Sequence, residues 1–492
     1  MAYIHGAYGD VVDNSISTAV EAENVPVYIG TAPVHQTAGG DTRVNKPVVL
    51  TNLAQAIRLM GYSEDWASYT LCEAFRVHFA VKGVGPIVVI NVLDPEDHAA
   101  VAGGTADKTP SNGRIILDNA EDAVLDSVAI ETKDEPAVPK VLGTDYTIAY
   151  DYENKRIIIT SIGAGLGTAE LAVAWDKVDP SLVDAADVIG ASDGEGVNTG
   201  IFAVKDVYHL TSKVPSRILA PGFSSDPTVR AAMLAISVNI NGHFDAMIFT
   251  DIPIVDNATP VTLASAATWK TSNGYDADNE KTFFPLWKGT DSRYYHLSVL
   301  FCANLMKQEA ESDGLPYHTA SNTAVGIAGA PYFGAESTLL MDDELANEHL
   351  NSNGITTVAY LNGWVLWGAH LASYTQSNAT NMNIADTNLA MLQYITNQFQ
   401  IRRMPDIDDP MSVNRMRQIV SEEQSILDAF ISVGALIYGV VQLDLTNAEE
   451  DIPNGDFSFK FDVTTTPLTK SLSAYVSYTE AGLATFFEVE GA

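Results

Sequence analysis

Pro86-Ile-Val-Val-Ile-Asn-Val-Leu93 is an almost unbroken apolar run held between Gly85 and Asp94. A strand with one wet face alternates, so a continuous run marks a strand covered on both faces, the pattern of a buried parallel sheet. The same rhythm recurs along the chain. Val25–Ile29 reads as a strand, Leu53–Met60 and Trp66–Val81 as helices, and Ile218–Ala220 as a strand leading into the helix Pro227–Ile240. Ala246–Thr250, a helix near Ala264–Thr271, Thr282–Trp287, a helix over Tyr294–Ala310 and the strand Ile355–Leu361 continue it. Alternating β and α units predict an α/β core with a mostly parallel sheet.

Residues 94–193 break the rhythm. They hold 20 Asp+Glu against 7 Lys+Arg, with frequent Gly, Pro and Asp turn signals. Val141–Tyr150 and Arg156–Ile162 read as a hairpin joined by Asp151–Lys155, so this block reads as an inserted, β-rich, water-facing domain. The expected layout is an extended N-terminal arm (1–22), a first core part (23–93), the inserted outer domain (94–205) and a second core part (206–380). A C-terminal α+β inner domain (381–482) and a C-terminal arm (483–492) complete it. In the inner domain two long helices, Ala385–Gln400 and Met411–Ser432, precede the strands Phe457–Phe461 and Leu472–Tyr478.

The chain carries 27 Lys+Arg and 62 Asp+Glu, a formal charge of −35. Such a chain repels phosphate backbones and anionic lipid surfaces, so neither nucleic acid nor membrane is an expected partner. The longest apolar stretch, Ala429–Val441, is shorter than the ~20 residues of a membrane span. The first residues lack the basic and apolar regions of a secretory signal, and the expectation is a soluble protein made inside the cell. Cys72 and Cys302 sit in apolar surroundings and read as buried free thiols.

Chemistry-bearing motifs are weak. Gly190-Ala-Ser192-Asp-Gly194 fits the G-x-S-x-G pattern, yet loop sequence follows where a nucleophile elbow needs a helix. Gly163-Ala-Gly165-Leu-Gly167-Thr168 has Thr where a dinucleotide loop needs its last glycine. The ten histidines form no ligand cluster, and His78 reads as a core or rim residue. No enzyme, cofactor or metal is expected.

The ends carry more. Tyr3, Ile4, His5 and Tyr8 lie in an extended, aromatic opening, separated from the first core strand by a polar stretch. Leu483, Phe486, Phe487 and Val489 form an apolar close. A lone strand satisfies its backbone by joining a neighbour's sheet edge, and one-way exchange makes rings or helical filaments. The alternative is that both ends pack on their own subunit. A scarce basic cluster, Arg402, Arg403, Arg415 and Arg417, reads either as an inward contact face or as intramolecular partner of Asp406, Asp408, Asp409, Glu422 and Glu423.

An ordered set of segments resembles the contractile tail sheath proteins of phages and R-type bacteriocins. It comprises His5-Gly-Ala-Tyr8, Val27-Tyr-Ile-Gly-Thr-Ala-Pro33, Asn45-Lys-Pro-Val-Val-Leu-Thr51 and Ile218-Leu-Ala-Pro-Gly222. Gly354-Ile-Thr-Thr357, Gly363-Trp-Val-Leu-Trp-Gly368 and Arg402-Arg403 extend it. Ala369-His-Leu371 departs from the Asn-Arg-Thr of many relatives. The resemblance implies a structural subunit stacked as hexameric rings around an inner tail tube, with baseplate and tail terminator proteins as partners, in a virion or extracellular particle. It implies that contraction drives the tube through a target envelope. It also makes Tyr3, Ile4, His5, Tyr8, Leu483, Phe486, Phe487 and Val489 exchanged arm residues. Phe457, Phe459, Phe461, Leu472 and Val476 become acceptor-strand residues, and the four arginines an inner-tube contact. Another self-assembling particle protein, a tail tube or surface-layer subunit, is the competing reading.

Overall fold

The computed structural model describes residues 24–334, 341–446 and 448–483. Eight strands form the central sheet, in the order 364–367, 355–360, 280–283, 247–251, 214–219, 24–30, 87–91, 47–50. Six neighbouring strands, from Ile355–Tyr360 to Ile87–Asn91, run parallel. Only the edges, Trp364–Trp367 and Pro47–Leu50, are antiparallel.

Strand periodicity sorts side chains onto the two faces. Val27, Ile29, Val88 and Ile90 enter one core with Val229, Met233 and Ile236 of the helix Pro227–Ser237. Tyr28, Ile87 and Val89 enter the other with Leu297, Leu300 and Phe301 of the helix Leu297–Ala310. Both faces are therefore dry, which is why the 86–93 run shows no alternation. Gly354 opens the 355–360 strand at φ 67°, and a Cβ there would lie 2.5 Å from the Leu371 carbonyl, so only glycine fits.

Six strands between Gly104 and Trp175 form two three-stranded antiparallel sheets, 104–108/171–175/129–132 and 114–117/156–161/146–151. The Tyr146–Asp151 and Arg156–Ser161 hairpin is among them. Ile115, Leu117, Ile130, Ile157, Ile159 and Val173 build their own apolar core. The backbone oxygen of Glu121 ties this block to the central unit, accepting from Gln36 Nε2 at 2.9 Å.

Two expectations need correction, and the readings of the weak motifs and of the buried residues stand. The helix expected from Trp66 begins at Leu71, and its second half, Arg76–Lys82, is wound as a wider π-helix. Thr282–Trp287 is two strands, broken at Phe284-Pro285. Gly190–Gly194 follows the short helix Ala185–Ile189, the reverse of the order a nucleophile elbow requires. Gly163–Thr168 is a turn after the 156–161 strand. Cys72, Cys302 and His78 are buried, His78 with Nε2 2.6 Å from the Tyr28 hydroxyl.

Buried histidines of opposite character set the pH response. Burial holds His35 down to about 4 and His78 to about 3, so both are neutral in the folded state near pH 7. Their contribution is complete above the unfolded value of 6.5 and is lost as pH falls toward 4 and 3. Burial opposes the charge on His296 too, but the Glu73 carboxylate outweighs it and raises the group to about 9. Nδ1 of His296 lies 2.7 Å from Glu73. That contribution is complete below 6.5 and lost as pH rises through about 9, on the order of 3 kcal/mol. Thermal melting should therefore peak near neutral pH and decline on both sides. A His296→Gln variant should flatten the limb between pH 6.5 and 9; an unchanged alkaline limb would refute the assignment to this pair.

Candidate functional site

The C-terminal third gathers the residues the sequence singles out. Asp386–Arg403 and Val413–Ser432 are its long helices. The second starts where the Ser412 hydroxyl accepts from the Arg415 amide at 3.1 Å. Its inner face carries Ile419, Glu423 and Leu427, spaced one turn apart and buried.

Buried Glu423 explains the arginines. Arg402 Nη2 lies 2.7 Å from one of its carboxylate oxygens, and Arg403 Nη2 lies 2.7 Å from the other. Arg403 also reaches Glu422 at 2.7 Å, and Arg415 reaches Asp406 at 2.5 Å. Two guanidiniums on one buried carboxylate make a clamp that fixes one helix on the other. Three of the four arginines are thus committed inside the subunit. Arg417 is exposed and makes no ion pair among the described residues.

A strand that the sequence pattern did not resolve, Leu436–Leu443, lies against the second helix and pairs antiparallel with Phe459–Thr465. Gly439 allows the close approach, since a Cβ there would lie 3.0 Å from Leu427. The Gln424 side chain donates to the Gly439 carbonyl at 3.0 Å and accepts from the Val441 amide at 2.9 Å. In an antiparallel ladder, alternate residues direct their backbone groups to opposite edges. Gln424 thereby occupies the middle of one edge of this two-stranded sheet. The opposite edge, along 459–465, faces no further strand among the described residues.

Phe459 and Phe461 lie on that edge strand, and Phe457 just precedes it. The expected partner, Leu472–Tyr478, is not a strand within this subunit: residues 471–479 form no ladder. Their route is set at the start. Thr466 donates its amide to the Ala435 carbonyl at 3.2 Å, and Lys470 Nζ donates to the Tyr374 hydroxyl at 2.8 Å. Beyond that point Leu472, Tyr475, Val476 and Tyr478 are 91, 97, 94 and 83 % exposed. Runs of exposed large apolar groups are a general mark of interaction surfaces. Leu483 ends a short 3-10 turn, Glu480–Leu483, and is exposed. Tyr3, Ile4, His5, Tyr8, Phe486, Phe487 and Val489 lie outside the described residues.

Among the described residues no group of three or more His, Cys, Asp or Glu could hold a metal, and no helix is long and apolar enough to cross a membrane.

The fold is shared with contractile sheath structures. The helical sheath of the anti-feeding prophage in its contracted state matches with a TM-score of 0.51 at 13 % identity, covering 98 % of this chain and all of the other. The contracted sheath complex of an extracellular contractile injection system, PVC, matches with a TM-score of 0.54 at 11 % identity, covering 97 % and 99 %. The sequence relationship is closer with the tail sheath protein of Burkholderia phage BcepMu. It is 25 % identical over 476 residues, 93 % of this chain and 92 % of that protein. No family model matches. In fold and in sequence the chain is similar to contractile tail sheath proteins.

Proposed function

We propose that the chain is the repeating subunit of a contractile sheath, stacked as hexameric rings around an inner tube above a baseplate, whose contraction drives the tube through a target envelope. The role is mechanical, not catalytic. The observation that carries the reading is the exposed apolar segment 471–479 leaving a subunit whose two-stranded sheet has an edge that pairs with no further strand among the described residues. Strand addition to a neighbour meets both needs at once and makes a one-directional, polymer-forming contact.

In this reading the C-terminal arm begins after Thr466, not at residue 483, and its Leu472 and Val476 are donated, not accepting. The acceptor is the 459–465 edge, with Phe459 and Phe461. Residues 2–12, with Tyr3, Ile4, His5 and Tyr8, and the closing Phe486, Phe487 and Val489 are assigned to exchanged strands as well. The core is read as 23–93 plus 206–380, the outer domain as 94–205. The ion pairs of Arg402, Arg403 and Arg415 support an internal clamp for these residues, which leaves Arg417 as the member of the cluster open to a tube contact.

Negative-stain microscopy of the purified full chain tests the reading. Wide hollow cylinders are the expected image, and narrow tubes or flat lattices would transfer the chain to another class of assembly protein.

A further inference from the structure

An open groove of about 530 Å³ lies between the helix Leu53–Met60 and the outer strand Tyr146–Asp151. Arg43, Ile57, Arg58, Leu59, Tyr150 and Tyr152 are among its lining residues, and the Tyr152 hydroxyl donates to the Ile57 carbonyl at 3.3 Å. The two tyrosine rings pack edge-on at 4.9 Å. Arg43 is held rigidly by neutral acceptors. Its Nε donates to the Leu59 carbonyl at 2.7 Å, and its Nη2 donates to Thr37 Oγ1 at 2.8 Å and to the Ala38 carbonyl at 3.0 Å. Arg58 is exposed and makes no hydrogen bond or ion pair among the described residues. Burial works against the Arg43 charge, and the nearby Arg58 adds to that, while Asp41 and Asp126 act in its favour from a distance.

Arg156, Arg217, Arg230, Arg293, Arg402, Arg403 and Arg415 each meet a carboxylate. Among the described residues, five arginines do not: Arg43, Arg58, Arg76, Arg114 and Arg417. Only Arg43 and Arg58 line this groove. In a chain of net charge −35 this cannot be put down to a shortage of acids.

We propose that the groove is an interface that receives an acidic surface segment from a second copy of this chain. Copies carrying −35 each repel, so a stable contact between them forms where basic groups lack an internal carboxylate partner. Guanidiniums take carboxylates in paired hydrogen bonds, and the tyrosine and aliphatic walls cover the stem of the incoming side chain. The inference rests on the sheath reading, which supplies the neighbouring copy, but uses residues other than those of the 471–479 segment.

The test compares full-length wild type, Arg58→Glu and Arg58→Lys by light scattering and microscopy across salt concentrations. The Arg58 side chain makes no bond among the described residues, so melting temperatures should match. At low salt Arg58→Glu should raise the protein concentration needed for cylinders by about tenfold, an effect that shrinks at high salt, with Arg58→Lys between the two because an ammonium keeps the charge and loses the paired geometry. Equal thresholds for wild type and Arg58→Glu would overturn the inference while leaving the sheath reading standing. No cylinders from wild type would bring down the sheath reading itself. Citrate titrated into the monomer is the second arm. Citrate binding that Arg58→Glu abolishes, with cylinder thresholds unchanged, would assign the groove to a free carboxylate and overturn the second-copy proposal.

Discussion

Truncation after Lys470 should give a monomer that melts like the full chain and forms no cylinders at any accessible concentration. The two halves of this outcome have separate causes. Residues 471–479 join no ladder among the described residues, and Leu472, Tyr475, Val476 and Tyr478 are almost fully exposed, so removing them takes nothing from the core those residues form. The clasp of Lys470 on Tyr374 and the amide bond from Thr466 remain, so the truncated end stays fixed. Burying each of the four side chains against a neighbour is worth ~1.5–3 kcal/mol before ordering costs. Losing all of them, together with the ladder hydrogen bonds, lowers an association constant by several decades. Cylinders from the truncated chain at wild-type concentration would end the strand-donation reading, and a lowered melting temperature would show that the segment packs at home.

The contrast between what patterns revealed and what they missed follows from where each element finds its partner. The apolar run of 86–93 and the hairpin at 146–161 satisfy themselves within one contiguous layer or one turn, so periodicity alone located them. Leu436–Leu443 was hidden because Ala429–Val441 reads as one apolar stretch. In the structure that stretch is the end of one helix, the Val433-Gly434 turn with Gly434 at φ 83°, and a strand. The alternation Leu472-Ser-Ala-Tyr-Val-Ser-Tyr478 does mark strand-forming sequence. Whether such a segment is a strand depends on an edge, and none among the described residues pairs with it. The arginines show the reverse case. Their acidic partners were readable from composition, but the choice between an internal and an external contact turned on Glu423 being buried one turn from Ile419 and Leu427, a tertiary fact.

The other large effect concerns a buried charge that joins the central sheet to the C-terminal helices. Lys281, on the strand Glu280–Phe283, is fully buried, and its Nζ lies 3.0 Å from an Asp386 carboxylate oxygen. The same ammonium donates to the carbonyls of Gly368 and His370, both at 3.1 Å, and sits 4.6 Å from the Phe301 ring centroid. Burial pushes its pKa down and Asp386 opposes the shift, so the charge depends on this one partner. Asp386 begins the helix Asp386–Arg403, where a carboxylate also complements the helix dipole. Lys281→Ala removes three satisfied donors and leaves a buried carboxylate with Thr319 Oγ1, at 3.0 Å, as its remaining side-chain donor. The expected cost is ~3–5 kcal/mol, read as a lowered urea midpoint of the near-ultraviolet circular dichroism signal. The double variant Lys281→Met/Asp386→Asn should recover a large part of that loss, because it removes the stranded charge and refills the volume. If the single variant lost less than ~1 kcal/mol, or the double variant lost the sum of both singles, the pair would not be the coupling point between sheet and helix. The assembly readout adds a second prediction from the same contact. The helix that Asp386 opens carries Arg402 and Arg403, whose clamp holds the helix behind the 436–443 strand. Lys281→Ala should therefore misplace the acceptor edge and impair polymerisation under conditions where the central sheet is still folded.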